Sequence, residues 1–565
     1  MAEHDETTSF PPIEPTTFDL IIIGTGLHES IIAAAASAAG KSVLHLDSNA
    51  FYGSHFASLS LSDLSSFLTL PPSLPISPQN LVSLPNSPQN LVSLPNSPQN
   101  LVSLPLQTRN LYSDVSISKS GEIEDERRYS VDLAGPRVLF CADLAVDLLL
   151  KSSANQYMEF KNVDECLIWE GEKGFRNVPD SRSAIFKDKR LDWREKNQLM
   201  KFFKLVQRHL SEEEGEGSER ISDEDLESPF AQFLNRMMLP ANIKSIILYA
   251  IAMADCDQDL TEIKIEVLKT KEGIKRLALY NSSVGRFPNA LGALIYPIYG
   301  QGELPQAFCR RAAVKGCIYV LRMPVIALLL DEDSKSYKGV KLSSGQDLFS
   351  QKLVLDPSFV IPSGMANTSL DILQDSPVIF GSKNIYQKVA RGICIAKAPL
   401  KPNVSSCLVF FPPGSLYPEQ VSTLRVLQLA SNIAVCPSGM FVFHISALCE
   451  DAVEGKKLLN AAVNALFPDP SIRPMDISKE ENEDLEELQP TLLWHALYIQ
   501  ELSMASVGSI SSMPMPDMNL NYNDAIEATA KIYQMMYPNE EFFPETKTSD
   551  IPEDNDDIKT ETEPQ

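Results

Sequence analysis

The chain has 565 residues, 44% of them hydrophobic, enough for a large core spread over roughly two to four domains. Its 74 acidic and 49 basic residues give a formal net charge of -25, which argues against direct binding to nucleic acid or an anionic membrane and suits a basic partner. Nine cysteines, scattered from Cys141 to Cys449 without CxxC spacing, argue against a zinc site and a disulfide framework and fit a reducing compartment.

The N-terminal text "MAEHDETTSFPPIEPTT" has neither a basic nor an apolar signal region, and no apolar run elsewhere reaches about 18 residues. A cytosolic protein is the expectation. The first element is "FDLIII", residues 18 to 23, an apolar strand that runs into Gly24 and Gly26, then an Ala-rich helix, then a second strand, Val43 to Leu46, ending on Asp47. That is the order of a Rossmann βαβ unit. The fingerprint asks for a third glycine three residues after Gly26, and Glu29 stands there. Its side chain takes space needed for helix–strand contact, and its charge lies where a diphosphate should sit and satisfies the helix dipole without a ligand. These residues favour a fold retained after cofactor binding was lost. Asp47 sits where a ribose-binding acid would, about 20 residues after the glycines, and is equally suited to capping a loop.

Further along, "SPQNLVSLPN" appears at 77 and 87 and "SPQNLVSLP" at 97. Two prolines per unit exclude a helix and any central strand, so 71–105 is expected to be an extended, Pro-rich repeat loop. The segment "YSVDLAGPRVLFC" (129 to 141) reads as strand. Between 181 and 280 the pattern turns helical, with wide apolar faces in 192–210 and 229–254. In 296–316, Gly300 and Gly302 mark a loop, Pro305 suits a first helical turn, Gly316 ends the helix, and Glu303, Arg310 and Arg311 flank its apolar face. Short, β-branched stretches follow at 316–333 and 337–356. Acidic runs at 211–227, 478–488 and 552–565 read as two solvated loops and a disordered tail, the last assigned to 546–565.

The economical architecture is α/β (α+β): a discontinuous FAD/NAD(P)-binding Rossmann-like domain, 15–180 and 281–545, with an inserted helical domain, 181–280, and a degenerate cofactor site. No cofactor is expected. The seven histidines show no metal-ligand spacing, and no GxSxG or Cys/His arrangement appears, so no catalytic residue and no metal ligand is assigned.

"IIIGTGLHESIIAAAASAAGKSVLHLDSNAFYG", "YSVDLAGPRVLF" and "YPIYGQGELPQAFCRRAAVKGCIYVLRMPV" together resemble the Rab escort protein and Rab GDP-dissociation inhibitor family. In that family glutamate occupies the third-glycine position, and a flavoprotein-like fold persists without the flavin. The phrase "MEFKNV" (158 to 163), the length and the large loop after residue 60 resemble the escort branch. The resemblance implies an accessory subunit of Rab geranylgeranyl transferase, which binds GDP-loaded Rab GTPases, presents their C-terminal cysteines to the catalytic alpha/beta heterodimer, and covers the geranylgeranyl lipid for delivery to a membrane that it contacts only transiently. The helical domain is then the lipid- and transferase-binding part. Carried over residue by residue, the Rab-binding platform comprises Tyr52, Glu303, Gln306 and Arg310, with Ile318 and Val320. The transferase site comprises Phe186 and position 197, where the family has arginine and this chain has Asn197. The alternatives are a recycling inhibitor that extracts prenylated Rabs and a flavin-dependent oxidase of related fold.

Overall fold

Strand β1 (Thr17–Ile23) is buried along nearly its whole length, which is why its sequence is a continuous apolar run rather than an alternating one. In the computed structural model, which describes residues 11–69, 101–179, 191–211, 220–259, 267–361, 388–468 and 490–544, β1 lies between two parallel neighbours. Strand β2 (Val43–Leu46) pairs on one side and Asp347–Leu355 on the other, with Ile21 opposite both Leu44 and Leu353. Helix α1 (Leu27–Ala38) makes the crossover. Ile318–Val320 extends the sheet beyond β2, and the antiparallel strands Tyr337–Leu342 and Val325–Asp331 extend it on the far side. Four consecutive buried alanines, Ala33 to Ala36, let α1 pack closely against helix Glu303–Val314 through Phe308 and Ala312, and they share this core with Ile532 of helix Asn523–Met536. The opposite face of the sheet holds Ile21, Ile23, Leu44 and Leu353 with Leu328 and Val340.

One part of the expected repeat loop is a strand. Leu101–Pro105, the end of the third unit, pairs antiparallel with Val325–Asp331, Leu104 opposite Leu328 and Pro105 opposite Ala327. It is the sheet's last strand, where an unpaired side tolerates proline; the prolines excluded a central strand, not an edge one. Residues 71–100 of the loop lie outside the described residues, as do 212–219 and the acidic stretches 478–488 and 546–565. Within the first acidic run, Asp223–Glu227 is a short helix capped by Ser222.

A second eight-stranded sheet runs in the order 175–177, 165–169, 407–411, 424–430, 440–449, 388–397, 491–501, 112–119. Its inner strands Cys407–Phe411 and Leu424–Ala430 are buried at every residue, so they lack the period-two signal of a half-exposed strand. Helix Ala452–Leu466 covers one face with Leu458, Leu459 and Ala462.

The other face carries the helical segment. Helix Trp193–Leu210 begins with a capping box between Asp192 and Glu195 and buries Leu199, Phe202 and Val206. The helical stretch 229–254 forms three short pieces. Phe230–Arg236 stops, Met238 takes a left-handed φ of 55°, Pro240 opens Ala241–Ser245, and a π-helical turn, Ile246–Ile251, follows. Proline cannot continue the hydrogen-bond ladder of the preceding turn. Phe202, Phe230 and residues 246–251 share one core with Ile393, Phe410 and Leu427 of the sheet. Among the described residues, these wide apolar faces are filled by the protein's own side chains.

Candidate functional site

The turn from β1 into α1 is built around three buried carboxyls. Gly24 has φ +96°, a conformation that glycine adopts without strain, and a Cβ there would lie 2.5 Å from that of Asp356. Asp47 accepts the backbone N–H and the hydroxyl of Thr25 at 3.0 and 2.7 Å, the N–H of Asn49 at 2.8 Å and the hydroxyl of Ser54 at 3.3 Å. Of the two roles open to it, the structure shows the loop-binding one. Burial raises its carboxyl to about pKa 6. His45 beneath it contacts the Gly24 carbonyl through Nε2 at 2.5 Å, and burial lowers its pKa to about 4. Asp356 bonds to His55 at 3.2 Å and accepts the Ser358 N–H at 2.9 Å. Burial opposes its charge, yet these partners hold it below the ordinary value.

Glu29 is only 2% exposed. Its Oε2 would lie 2.5 Å from a Cβ on Gly26, and its Oε1 has no hydrogen-bond partner. Burial, reinforced by Asp356 and Asp47, pushes its pKa well above the carboxylate range. Burial thus works against the charge expected at the helix N-terminus, while the bulk of the side chain over Gly26 closes it. A dinucleotide diphosphate does not fit this turn. The Glu29 side chain lies over Gly26, Asp47 is occupied by its own loop, and Asp356 stands beside Gly24.

The second assembly joins two of the sequence segments. Asp132, in "YSVDLAG", accepts the hydroxyl of Ser58 at 2.6 Å and the backbone N–H of Gln301 at 3.0 Å, and also receives the Tyr296 hydroxyl. Its own N–H donates to His444 Nε2 at 2.9 Å. Gly302 N–H donates to Ser58 Oγ at 2.8 Å. A Cβ at Gly302 would come within 2.6 Å of the Ser58 nitrogen, so the loop must be glycine-rich to reach this depth. Asp132, Ser58 and Tyr296 were not singled out from the sequence. The available signal was an acid inside an apolar strand, which requires buried partners.

From this anchored loop, helix Glu303–Val314 projects Glu303, Gln306 and Arg310. Gln306 donates to Glu303 at 3.2 Å. Burial raises the Glu303 pKa and the nearby Arg310 opposes the shift. Arg310 is exposed and also acts electrostatically on Tyr52, whose pKa is raised chiefly by burial. The Tyr52 ring packs edge-on against Tyr319 at 6.1 Å. Tyr52, Glu303, Gln306 and Arg310 therefore come together. Ile318 and Val320 do not join them. They alternate with Tyr319 along an edge strand and, half-buried, pack against the core on the sheet's other face, as the two-residue period of a strand requires. Asn197 is exposed on helix Trp193–Leu210, and Phe186 lies outside the described residues. Among the described residues no group of acidic, histidine and cysteine side chains could hold a metal ion.

The GDP dissociation inhibitor family profile matches residues 14–72 and 101–469. Rab escort protein 1 of Arabidopsis thaliana is 53% identical over 551 residues, covering 95% of each chain. Rab proteins geranylgeranyltransferase component A of Drosophila melanogaster is 29% identical over 549 residues, 94% of this chain and 90% of its own. Among solved structures, Rab GDI of Plasmodium falciparum superposes with a TM-score of 0.63 at 20% identity, covering 93% of this chain and 99% of that one. An oxidoreductase of Methanosarcina mazei reaches 0.50 at 11% identity, covering 91% and 99%. At these identities the two structures speak for the fold alone, a GDI fold related to that of oxidoreductases. A profile spanning most of the chain, with a relative identical at more than half of the aligned positions, places it: the chain belongs to the GDP dissociation inhibitor family, on its Rab escort protein branch.

Proposed function

We propose that this chain is the non-catalytic, substrate-presenting component of a Rab geranylgeranyl transferase. It binds GDP-loaded, unprenylated Rab on the face formed by Tyr52, Glu303, Gln306 and Arg310, presents the Rab C-terminal cysteines to the catalytic alpha/beta heterodimer, and carries the lipidated product to a membrane. The observation that carries this reading is the 53% identity to Rab escort protein 1 along nearly the whole chain. The discontinuous unit, 15–180 and 281–545, serves as the Rab-binding domain. The helical unit, 181–280, serves the lipid and the transferase, with Phe186 and Asn197 at the transferase contact.

The physical need for a carrier is large. At about 0.8 kcal/mol per CH₂, a geranylgeranyl chain in water costs on the order of 10 kcal/mol. The net charge of -25 keeps such a carrier off anionic membranes between deliveries, in keeping with a cytosolic location. Because the helical faces are filled by their own core, lipid binding in this reading requires those helices to separate.

The test is prenylation of a Rab by the purified heterodimer with and without this protein. Lipid incorporation that depends on the added protein is the expected result. A recycling factor is the second reading, favoured by Asn197 in place of the family's arginine. It predicts extraction of prenylated Rab from membranes with no support of prenylation.

A further inference from the structure

Tyr299 stands at the apex of the loop between strand Leu294–Pro297 and helix Glu303–Val314. Its backbone is left-handed, with φ +74°, a conformation that is strained for a bulky L-residue. The residue is 59% exposed. A strained residue persists only where its surroundings over-determine it, and strain of this kind concentrates at binding sites.

The surroundings here do so from three separate parts of the chain. The Tyr299 N–H donates to the Ile433 carbonyl at 2.9 Å, and its carbonyl accepts the Ser130 hydroxyl at 2.6 Å. Asp132 and Ser58 accept the backbone N–H groups of Gln301 and Gly302. Gly300, at φ +111°, sits so close to Ser58 and Asp132 that a Cβ would collide with both. The loop is thus fixed in place, yet what it fixes at its apex is an aromatic ring facing solvent. Core packing does not explain that outcome, because glycine or asparagine would satisfy the same backbone at lower strain. A rigid, pre-ordered aromatic side chain loses little entropy on binding and is a frequent anchor of protein interfaces.

We infer that Tyr299 is a contact residue of the GTPase-binding face, extending it from Glu303 across the N-terminal end of the helix to the loop before it. The partner surface that takes the ring is apolar or cationic, the two environments that suit an aromatic face. This inference rests on the proposed Rab-binding function.

The experiment titrates full-length protein with fluorescently labelled, GDP-loaded Rab, and measures thermal unfolding of each variant alone. Tyr299→Gly and Tyr299→Asn are expected to unfold at or above the wild-type temperature and to bind Rab at least about tenfold more weakly, equivalent to about 1.4 kcal/mol. Tyr299→Phe keeps both properties. Wild-type affinity in the Gly and Asn variants overturns the inference and leaves the escort reading standing, as does a fall in unfolding temperature in both, which makes the ring a structural element. Failure of the wild-type protein to bind any Rab overturns the escort reading and this inference with it.

Discussion

Asp132 and Gln301 lie 169 positions apart in sequence and share a 3.0 Å hydrogen bond from the Gln301 amide to the Asp132 carboxylate. Through that bond the strand text "SVD" and the loop text "GQGE" become one object, and helix Glu303–Val314 starts from a fixed point. Removing the carboxylate leaves the Gln301 amide and the Tyr296 and Ser58 hydroxyls without their acceptor. At about 1–3 kcal/mol for each buried unsatisfied group, Asp132→Ala should lose at least about 3 kcal/mol in urea unfolding. Ser58→Ala should lose about 1 kcal/mol. Equal stability of Asp132→Ala and wild type would remove the anchoring role.

The turn at Glu29 carries a pH signature. A carboxyl whose folded pKa is raised above its unfolded value of 4.5 keeps its proton in the folded state while the unfolded chain releases it. Its effect is therefore neutral below pH 4.5 and increasingly destabilising as pH rises toward the folded value. Asp47 behaves alike between its ordinary value of 3.8 and about 6. Glu29→Gln should match the wild type at acid pH, be the more stable of the two at neutral pH, and show a flatter stability profile between. A variant no more stable at pH 7 than the wild type would show that Glu29 is charged in place.

Because the same turn does not fit a diphosphate, added flavin dinucleotide should leave the thermal unfolding temperature unchanged, and the purified protein should show no flavin absorbance. Saturable stabilisation by the flavin is the contrary outcome.

The face and the core strand beside it should separate under mutation. Arg310→Glu, at an exposed position, should shift stability by less than about 0.5 kcal/mol and weaken Rab binding by about 2 kcal/mol. Ile318→Ala, half-buried against the sheet core, should lose about 1–2 kcal/mol of stability with little change in Rab affinity. Selective loss of Rab binding in Ile318→Ala would place that strand in the interface after all.

At the proposed transferase contact, Asn197→Arg should tighten binding to the catalytic heterodimer severalfold, since a charge-assisted hydrogen bond contributes about 1 kcal/mol more than a neutral one. Phe186→Ala should nearly abolish that binding. Neither should alter affinity for unprenylated Rab, and calorimetric titration against each partner separates the two effects. Normal heterodimer binding by Phe186→Ala would move the docking site elsewhere.

What was legible in the sequence was local. The βαβ start, Glu29 as the misfit, and the helix after Gly302 all follow from the spacing of glycines and apolar residues within about thirty positions. Asp47 was ambiguous because the same carboxylate could face a ribose or a loop, and only the positions of Thr25, Asn49 and Ser54 decide. The second sheet was illegible because Leu424–Ala430 and Cys407–Phe411 are buried on both faces and so show no alternation. The separation of Ile318 and Val320 from Tyr52 and Arg310 depends on which way an edge strand turns its side chains, and a three-residue strand carries too short a pattern to tell.

The edge strand Leu101–Pro105 has a consequence for how the gene can vary. Its five residues, "LVSLP", occur identically at 81, 91 and 101. Losing or duplicating a ten-residue unit in this tract delivers the same pentapeptide to Val325–Asp331, and the intervening length changes the closure entropy by only about 0.6 kcal/mol per doubling. Unit number can drift between individuals or lineages while the sheet's last rung stays the same.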